Sequence, residues 1–294
     1  MPINRDRLRD LFGIKHRGVG LYSIKEEQHD GYVLETLDLL IDGAHVRGLL
    51  TRPDTPGKHP AILYAHSHGG VYTIGADELL QGRDYLLDPP LGPLFAKAGY
   101  VTLCIDLPCF GKRATVSESY AAKALLWYDR ALICEMLGDQ QAALSYLIAR
   151  DDVDPHRVGA FGISMGCTLS YWLAAVDERI AAVAHLCCFA DMRTMIQLGA
   201  HDGHGIYMVV PGLLDEADAG AIGALITPRP QLVCIGEADK LTPLPAFEMA
   251  WHEMAQAYVG YDTLSVVREP GVGHQETPRM RQAVFDFFAK HLHP

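Results

Sequence analysis

The sequence lacks basic clusters, long apolar segments and low-complexity tracts. Its 25 Lys and Arg residues are outnumbered by 36 Asp and Glu residues, so the formal net charge is -11. Nucleic acids and anionic membranes attract positively charged surfaces, and we therefore expect neither as a partner. No apolar run reaches the roughly 18 residues that a membrane-spanning helix needs, and the charged start MPINRDRLRDLFGIKH lacks the apolar core of a signal peptide. These absences predict a cytoplasmic protein.

The sequence also lacks Cys-x-x-Cys pairs. Five of its seven cysteines lie in or beside apolar segments: Cys104, Cys167, Cys187, Cys188 and Cys234. An odd number of cysteines distributed in this way is typical of reduced core residues rather than of a disulfide framework. Cys109 differs, because it lies in a predicted loop where it could line a site.

Apolar runs alternate with helical segments along most of the chain. After a short helix near residues 6–12, GYVLETLDLLIDGAHVRGLLTRP alternates apolar and polar residues across an Asp-Gly turn, which predicts an antiparallel hairpin. From residue 59, apolar runs such as PAILYA and YVTLCID alternate with helices. This pattern predicts an α/β fold with a mostly parallel sheet of about eight strands, helices on both faces and an antiparallel N-terminal hairpin.

No composition shift or linker divides the chain, so we predict a single domain over residues 1–294. Residues 1–30 are expected to form an N-terminal helical extension. Two loop regions, residues 69–95 and 189–228, should decorate the domain, and the second is a candidate small lid or pocket insertion. An edge strand or the N-terminal segment offers a surface for a homodimer.

A Gly-x-Ser-x-Gly motif spans residues 162–166. The motif is common by chance, but here Ser164 falls between a predicted strand and a predicted helix that begins at Met165. The flanking glycines relieve crowding at a strained turn, and a helix N-terminus directs N–H groups and a positive dipole end at the serine. Ser164 is therefore the candidate nucleophile.

A serine nucleophile needs a base to take its proton, and a histidine base needs an acid to orient it. Asp239 directly follows the apolar run PQLVCIG, and His274 lies between the last predicted strand and the last predicted helix. The chain order Ser, Asp, His is one of the orders in which such triads occur. Glu237 is the alternative acid, and Asp239 could instead cap a helix or a turn.

The same chemistry needs N–H donors for a developing oxyanion. One donor is the backbone N–H of Met165, and the other is expected from the segment HSHGG, residues 66–70. One alignment of this segment makes His68 the donor and another makes Gly70 the donor, and we favour His68. The imidazole of His66 is interpreted as a structural hydrogen-bonding group beneath the site.

The segment AHDGHG contains His201, Asp202 and His204, which raises the question of a metal site. A His-x-x-His pair in a loop lacks the fixed face that a helical His-x-x-x-His pair provides, and the spacing indicates no third ligand. We predict a polar loop near the mouth of the site, with no metal and no cofactor.

Together these segments resemble the α/β-hydrolase superfamily, and more narrowly its dienelactone-hydrolase-like and acetyl-xylan-esterase-like serine hydrolases. The resemblance is carried by AHSHGG, GYVTLCIDLPCFGKR, DVDPHRVGAFGISMGC, ITPRPQLVCIGEADKLTP and GVGHQ. It implies an α/β-hydrolase fold with Ser164 as nucleophile, Asp239 as acid and His274 as base. It also implies backbone oxyanion donors at Met165 and around His68.

The chain departs from two groups within this superfamily. Dienelactone hydrolases themselves use a cysteine nucleophile, whereas this chain has Ser164 there and Cys167 three residues later. Haloalkane dehalogenases have an aspartate at the same place. The serine indicates ordinary ester chemistry.

We therefore expect a serine hydrolase that cleaves a small-molecule carboxylic ester through an acyl-enzyme. Cys109, Phe110 and Tyr207 are candidate substrate-binding residues because of their loop positions. A lactonase, a carbon–carbon bond hydrolase and a peptidase or amidase are alternatives on the same residues. A catalytically silent binding protein is the alternative outside enzymes.

Overall fold

The protein is described here by a computed structural model that covers residues 3–293. Nine strands occur in these residues: β1 (Val19–His29), β2 (Tyr32–Ile41), β3 (Ala44–Arg52), β4 (His59–Ala65), β5 (Val101–Ile105), β6 (Val153–Ile163), β7 (Ala182–Leu186), β8 (Gln231–Gly236) and β9 (Leu264–Glu269). The α-helices are α1 (Arg5–Leu11), α2 (Glu78–Gln81), α3 (Leu91–Lys97), α4 (Glu118–Leu126), α5 (Leu132–Ile148), α6 (Met165–Val176), α7 (Met192–Gln197), α8 (Leu213–Glu216), α9 (Ala219–Ala224), α10 (Leu244–Ala257) and α11 (Pro278–Leu292). Short 3-10 helices cover Gly75–Asp77, Gly111–Arg113, Ala200–Gly203 and Ile206–Met208.

All nine strands belong to one sheet, in the order β1-β2-β3-β5-β4-β6-β7-β8-β9. The pairs β1/β2, β2/β3 and β3/β5 are antiparallel, and every pair from β5/β4 to β8/β9 is parallel. This confirms the predicted α/β-hydrolase fold with its antiparallel N-terminal hairpin. Parallel strands bring their carboxyl ends to one edge of the sheet, and ligands bind at that edge in open α/β folds.

The N-terminal segment differs from the prediction. A helical extension was expected over residues 1–30, but within residues 3–30 only Arg5–Leu11 is helical, and Val19–His29 forms strand β1, one strand more than the eight expected. Ten of the eleven β1 residues are exposed, so the strand shows none of the apolar alternation that marks a half-buried strand.

The core lies on both faces of the sheet. Val158 and Ala160 of β6 join the cluster that packs against α5 and α6, whereas Phe161 joins the cluster that packs against α3 and α11. Successive strand residues point to opposite faces, so a strand covered on both sides is apolar throughout. This explains why β4 to β8 are recognisable as short apolar runs. None of the helices within residues 3–293 combines the length and the hydrophobicity of a membrane span.

His185 on β7 is one of several polar side chains that are fully buried in the protein. The Nε2 atom of His185 accepts a hydrogen bond of 2.8 Å from the side-chain amide of Gln231. Its Nδ1 atom therefore carries the hydrogen, and it lies 3.4 Å from the sulfur of Cys167. Burial lowers the pKa of His185 from 6.5 to about 3, so the folded protein holds a neutral imidazole.

The buried imidazole predicts sensitivity to mild acid. His185 has a pKa of about 6.5 in the unfolded chain and about 3 in the folded chain, so between these pH values only the unfolded chain is protonated at this residue. The free energy of unfolding should therefore decrease as the pH is lowered from 6.5 towards 3, and His185 should contribute up to about 1.4 kcal/mol per pH unit. Urea unfolding at pH 7, 6 and 5 should show a shallower pH dependence for His185→Gln than for the wild type.

The matched control is Cys234→Ala, which removes a buried side chain from the neighbouring strand β8. This change should lower stability by a similar amount at each pH, since the thiol carries no charge in this range. Equal slopes for His185→Gln and the wild type would show that His185 is not the group responsible.

Candidate active site

Ser164 occupies the turn between β6 and α6. Its backbone angles are φ 58° and ψ -123°, a region that residues with a side chain rarely adopt. The turn is held in place because the Ser164 N–H donates a 2.9 Å hydrogen bond to the carbonyl of Leu186, at the end of β7. The side chain is half-buried. This geometry presents the serine at the carboxyl edge of the sheet, as the motif predicts.

Both flanking glycines are required by close packing. A Cβ atom at Gly166 would overlap the carbonyl oxygen of Ala65 at the end of β4, and a Cβ atom at Gly162 would overlap the backbone of Gly166. The first turn of α6 therefore lies directly against β4. Met165, the first residue of α6, is buried, and its N–H is among the first four of the helix, which have no acceptor within it.

Asp239 and His274 are in direct contact. The Nδ1 atom of His274 lies 2.7 Å from the Oδ2 atom of Asp239, whose carboxylate is buried. The second oxygen, Oδ1, accepts a 2.8 Å hydrogen bond from the N–H of Leu241. A carboxylate at Nδ1 places the hydrogen on that nitrogen and leaves Nε2 free to accept a proton. The alternative acid, Glu237, instead pairs with Arg268 at 2.6 Å.

The loops that carry this pair are fastened to each other. The N–H of Ala238 donates a 2.8 Å hydrogen bond to the carbonyl of Val272, and a Cβ atom at Gly236 would overlap that same backbone. Ser164 follows β6, Asp239 follows β8 and His274 follows β9. Since β6 to β9 are neighbours in the sheet, all three side chains lie at its carboxyl edge.

The HSHGG loop, residues 66–70, is anchored by the buried carboxylate of Glu78. The N–H of Ser67 lies 3.1 Å from each Glu78 oxygen, and the Ser67 hydroxyl also contacts the carboxylate. Arg83 at 2.8 Å and the hydroxyl of Tyr64 at 3.0 Å satisfy the remaining acceptor positions. A carboxylate this deeply buried requires such partners, so the loop has one well-defined position.

His66 lies beneath this loop as a structural group, as predicted. Its Nδ1 atom donates to the carbonyl of Ser67 at 3.0 Å, and its Nε2 atom accepts from the N–H of Leu107 at 3.3 Å. Burial lowers the pKa of His66, which keeps the imidazole neutral. Both ring nitrogens are engaged, so the ring is not available as a base.

His68 is held by contacts to its imidazole. The Nδ1 atom of His68 accepts a 3.1 Å hydrogen bond from the N–H of Gly70, so Nε2 carries the hydrogen and donates to Glu118 at 2.6 Å. The N–H of Gly70, the alternative oxyanion donor, is therefore already used. No acceptor among residues 3–293 takes the backbone N–H of His68. The assignment of the His68 N–H as the second oxyanion donor stays a prediction.

Glu118, at the start of α4, contacts residues of the site, which the sequence analysis did not predict. Besides His68, its carboxylate accepts hydrogen bonds of 3.1 Å from the Tyr72 hydroxyl and from the N–H of Tyr207. Burial alone would raise the pKa of Glu118, but the hydrogen bonds from His68, Tyr207 and Tyr72 lower it below its usual value. One carboxylate thus joins the HSHGG loop to the segment around residue 207.

The three candidate substrate-binding residues are buried. Phe110 and Tyr207 pack on His68 with ring centroids 5.2 Å away, and Tyr207 is stacked on the imidazole. Cys109 has φ 71° and is buried in the same core cluster. Phe110 and Tyr207 therefore pack against the His68 ring. A direct contact of Cys109, Phe110 or Tyr207 with substrate stays a prediction.

His204 is partly buried and its Nε2 atom lies 2.8 Å from the carbonyl of Leu241, whereas His201 and Asp202 are exposed. Burial lowers the pKa of His204. Over residues 3–293 no three His, Cys, Asp or Glu side chains are grouped as metal ligands. All seven cysteines are buried, as predicted for Cys104, Cys167, Cys187, Cys188 and Cys234, and Cys109, which was expected in a loop, is buried as well.

The sequence matches the models of two known protein families. The model of the Dienelactone hydrolase family matches residues 46–197, and that of the Prolyl oligopeptidase family matches residues 128–294. The chain is 35% identical over 297 residues to YtaP of Bacillus subtilis (strain 168), a protein named as a hydrolase, and the match covers 98% of this chain and 99% of YtaP.

Solved structures of esterases share the fold. Methylesterase BT1017 superposes with a TM-score of 0.69 at 25% identity over 97% of this chain, which spans 62% of the methylesterase's length. Acetyl xylan esterase 1 from Thermoanaerobacterium sp. JW/SL YS485 superposes with a TM-score of 0.68 at 17% identity, over 99% of this chain and 92% of the esterase.

The Glu118 contacts predict a local effect that needs no substrate. In Glu118→Gln the single amide oxygen is expected at the Oε2 position, where both His68 and Tyr72 donate, so the NH2 group faces the Tyr207 N–H, which loses its acceptor. Hydrogen bonds to a charged group contribute about 1.5–3 kcal/mol, so exchange of the Tyr207 amide hydrogen should accelerate by at least about tenfold. Hydrogen-exchange mass spectrometry of the peptides around residues 70 and 207 measures this.

The control is Glu178→Gln, which removes the charge from a largely exposed glutamate paired with Arg5. That variant should exchange like the wild type around residues 70 and 207. Unchanged protection of the Tyr207 peptide in Glu118→Gln would mean that the carboxylate does not hold the two segments together.

Proposed function

The chain belongs to the α/β-hydrolase enzymes of the dienelactone hydrolase and prolyl oligopeptidase families, and we propose that it hydrolyses carboxylic esters with Ser164 as the nucleophile. The observation that carries this proposal is the 2.7 Å contact between His274 Nδ1 and the buried Asp239 carboxylate, at the sheet edge where Ser164 turns outward. A histidine oriented in this way is a general base for a neighbouring hydroxyl.

The reaction proceeds in two acyl-transfer steps. His274 Nε2 takes the hydroxyl proton of Ser164 while the serine oxygen bonds to the ester carbonyl carbon, and the same proton then passes to the departing alcohol. A water molecule next attacks the acyl-enzyme, gives its proton to His274, and releases the carboxylic acid as Ser164 regains its hydrogen. Asp239 stabilises the imidazolium that forms in each step.

The oxyanion of each tetrahedral intermediate is stabilised by the N–H groups of Met165 and His68. Support comes from the position of Met165 at the start of α6 and from the engagement of Gly70 by the His68 ring. Fixed donors of this kind contribute about 10²–10³-fold to kcat in related chemistry, because they need no reorganisation during the reaction. Glu78 and Glu118 act through the loop and do not touch the reacting atoms.

Peptide or amide hydrolysis is a second candidate, which the match to the Prolyl oligopeptidase family over residues 128–294 favours. The same three residues would serve, but the leaving amine needs protonation more than an alcohol does. Parallel assays of p-nitrophenyl esters and peptide p-nitroanilides separate the two candidates.

Ser164→Ala should abolish both turnover and covalent labelling. Loss of the nucleophile is expected to lower kcat for p-nitrophenyl esters by at least about 10,000-fold. A fluorophosphonate should attach to Ser164 of the wild type, as located by peptide mass spectrometry. The control is Ser170→Ala, a buried serine further along α6, which should keep the label and the turnover. Labelling at a residue other than Ser164 would refute the assignment.

The roles of the two acids are separated by a matched pair of variants. Asp239→Asn keeps the shape but leaves the imidazole without its carboxylate, so kcat should fall by about 10³–10⁴-fold. Glu237→Gln, whose side chain pairs with Arg268, should stay within about threefold of the wild type. Steady-state kinetics with one ester measures both, and the opposite ranking would identify Glu237 as the acid.

A further inference from the structure

A cavity of about 390 Å³ lies between α6 and the segment from residue 188 to residue 222. Its walls are mainly apolar and include Trp172, Met195, Ile206, Met208, Leu213 and Ile222. A volume of this size lies in the range of sites that enclose a small organic ligand.

The cavity adjoins the site described above. Thr168 lines it one helical turn beyond Ser164, and Cys188 lines it just past the end of β7. Leu241, whose N–H donates to Asp239, forms part of the wall, and so does His204, which bonds the Leu241 carbonyl. Ser164, Asp239 and His274 are not themselves in the lining, but the cavity lies one turn of α6 from Ser164 and next to Leu241, which bonds Asp239.

Two polar side chains that line the interior of the cavity, Thr168 and Asp218, already have partners within the protein. The Thr168 hydroxyl lies 3.5 Å from the sulfur of Cys188, and the Asp218 carboxylate accepts 2.7 Å hydrogen bonds from the N–H groups of Met192 and Ala219. The indole nitrogen of Trp172 has no hydrogen-bond partner among residues 3–293, but protein atoms cover it, so that it is not exposed to the cavity. A ligand inside the cavity thus meets apolar surface and finds no free polar partner on these side chains, which favours an apolar occupant.

Resting on the proposed ester hydrolysis at Ser164, we propose that this cavity holds the acyl group and that the substrate is an ester of an apolar, medium-chain carboxylic acid. Trp172, the farthest lining residue on α6, lies eight residues and about 12 Å along the helix axis from Ser164, a distance that matches an acyl chain of roughly six to ten carbon atoms. This substrate differs from the acetyl esters named for the xylan esterase that shares the fold.

The first test is the acyl chain-length profile of the wild type on p-nitrophenyl esters from acetate to dodecanoate. Each methylene group that enters an apolar site adds about 0.8 kcal/mol, about a fourfold gain, so kcat/KM for the octanoate should exceed that for the acetate by at least about tenfold. A profile that is flat or falls from acetate onwards would overturn the acyl-pocket proposal.

The second test fills the cavity. Ala219 lines it at the start of α9, and Ala219→Phe should reduce kcat/KM for the octanoate at least about tenfold while the acetate stays within about threefold. Ala224→Phe, at the other end of the same helix and outside the lining, is the matched control and should keep the wild-type profile. Equal losses for both esters in Ala219→Phe would count against the proposal.

A third variant keeps the proposal testable if Ala219→Phe does not fold. Met208→Ala enlarges the cavity from a partly exposed position, so the preferred chain should lengthen. An unchanged optimum in this variant would contradict the acyl-pocket assignment. Failure of the underlying function is distinguishable, because a wild type that cleaves no ester and takes no fluorophosphonate at Ser164 would refute both proposals together.

Discussion

The close approach of α6 to the end of β4 is the constraint on which the site depends. Gly166 lies so near the Ala65 carbonyl that any side chain there would overlap it, and this contact fixes where the helix begins. The chain passes from β6 to α6 through Ser164, a residue with positive φ. The strain at one residue is thus imposed by packing, and it aims both the serine side chain and the first N–H groups of α6 at one point.

Two buried carboxylates, those of Glu78 and Glu118, hold the loops around the site in position. Glu78 satisfies the Ser67 amide from within the domain, and Glu118 joins His68 to Tyr207 from the side. A buried carboxylate is costly unless all its acceptor positions are used, so each glutamate tolerates only a narrow range of loop positions. The cavity wall and the HSHGG loop therefore share a support, although they are far apart in the chain.

The local sequence pattern was sufficient to predict most of the sheet and the places of Ser164, Asp239 and His274 after its strands. Strands β4 to β8 are apolar runs because helices cover both faces, and Ser164, Asp239 and His274 each follow a strand in the expected order. Strand β1 escaped prediction because neither of its faces is buried. Glu118 escaped because a glutamate at a helix start looks like an ordinary first-turn acid, and its partners lie 46 to 89 residues away in the sequence.

The exposed strand β1 also bears on how the sheet ends. It is the outermost of nine strands, so one row of its backbone N–H and C=O groups has no neighbouring strand among residues 3–293. Such an edge is a template on which other chains can add strands and form aggregates. Lys25, Glu26 and Glu27 occupy its middle, and adding a strand would desolvate these charges. Their polarity, which hid the strand in the sequence, is what protects the finished sheet from uncontrolled growth.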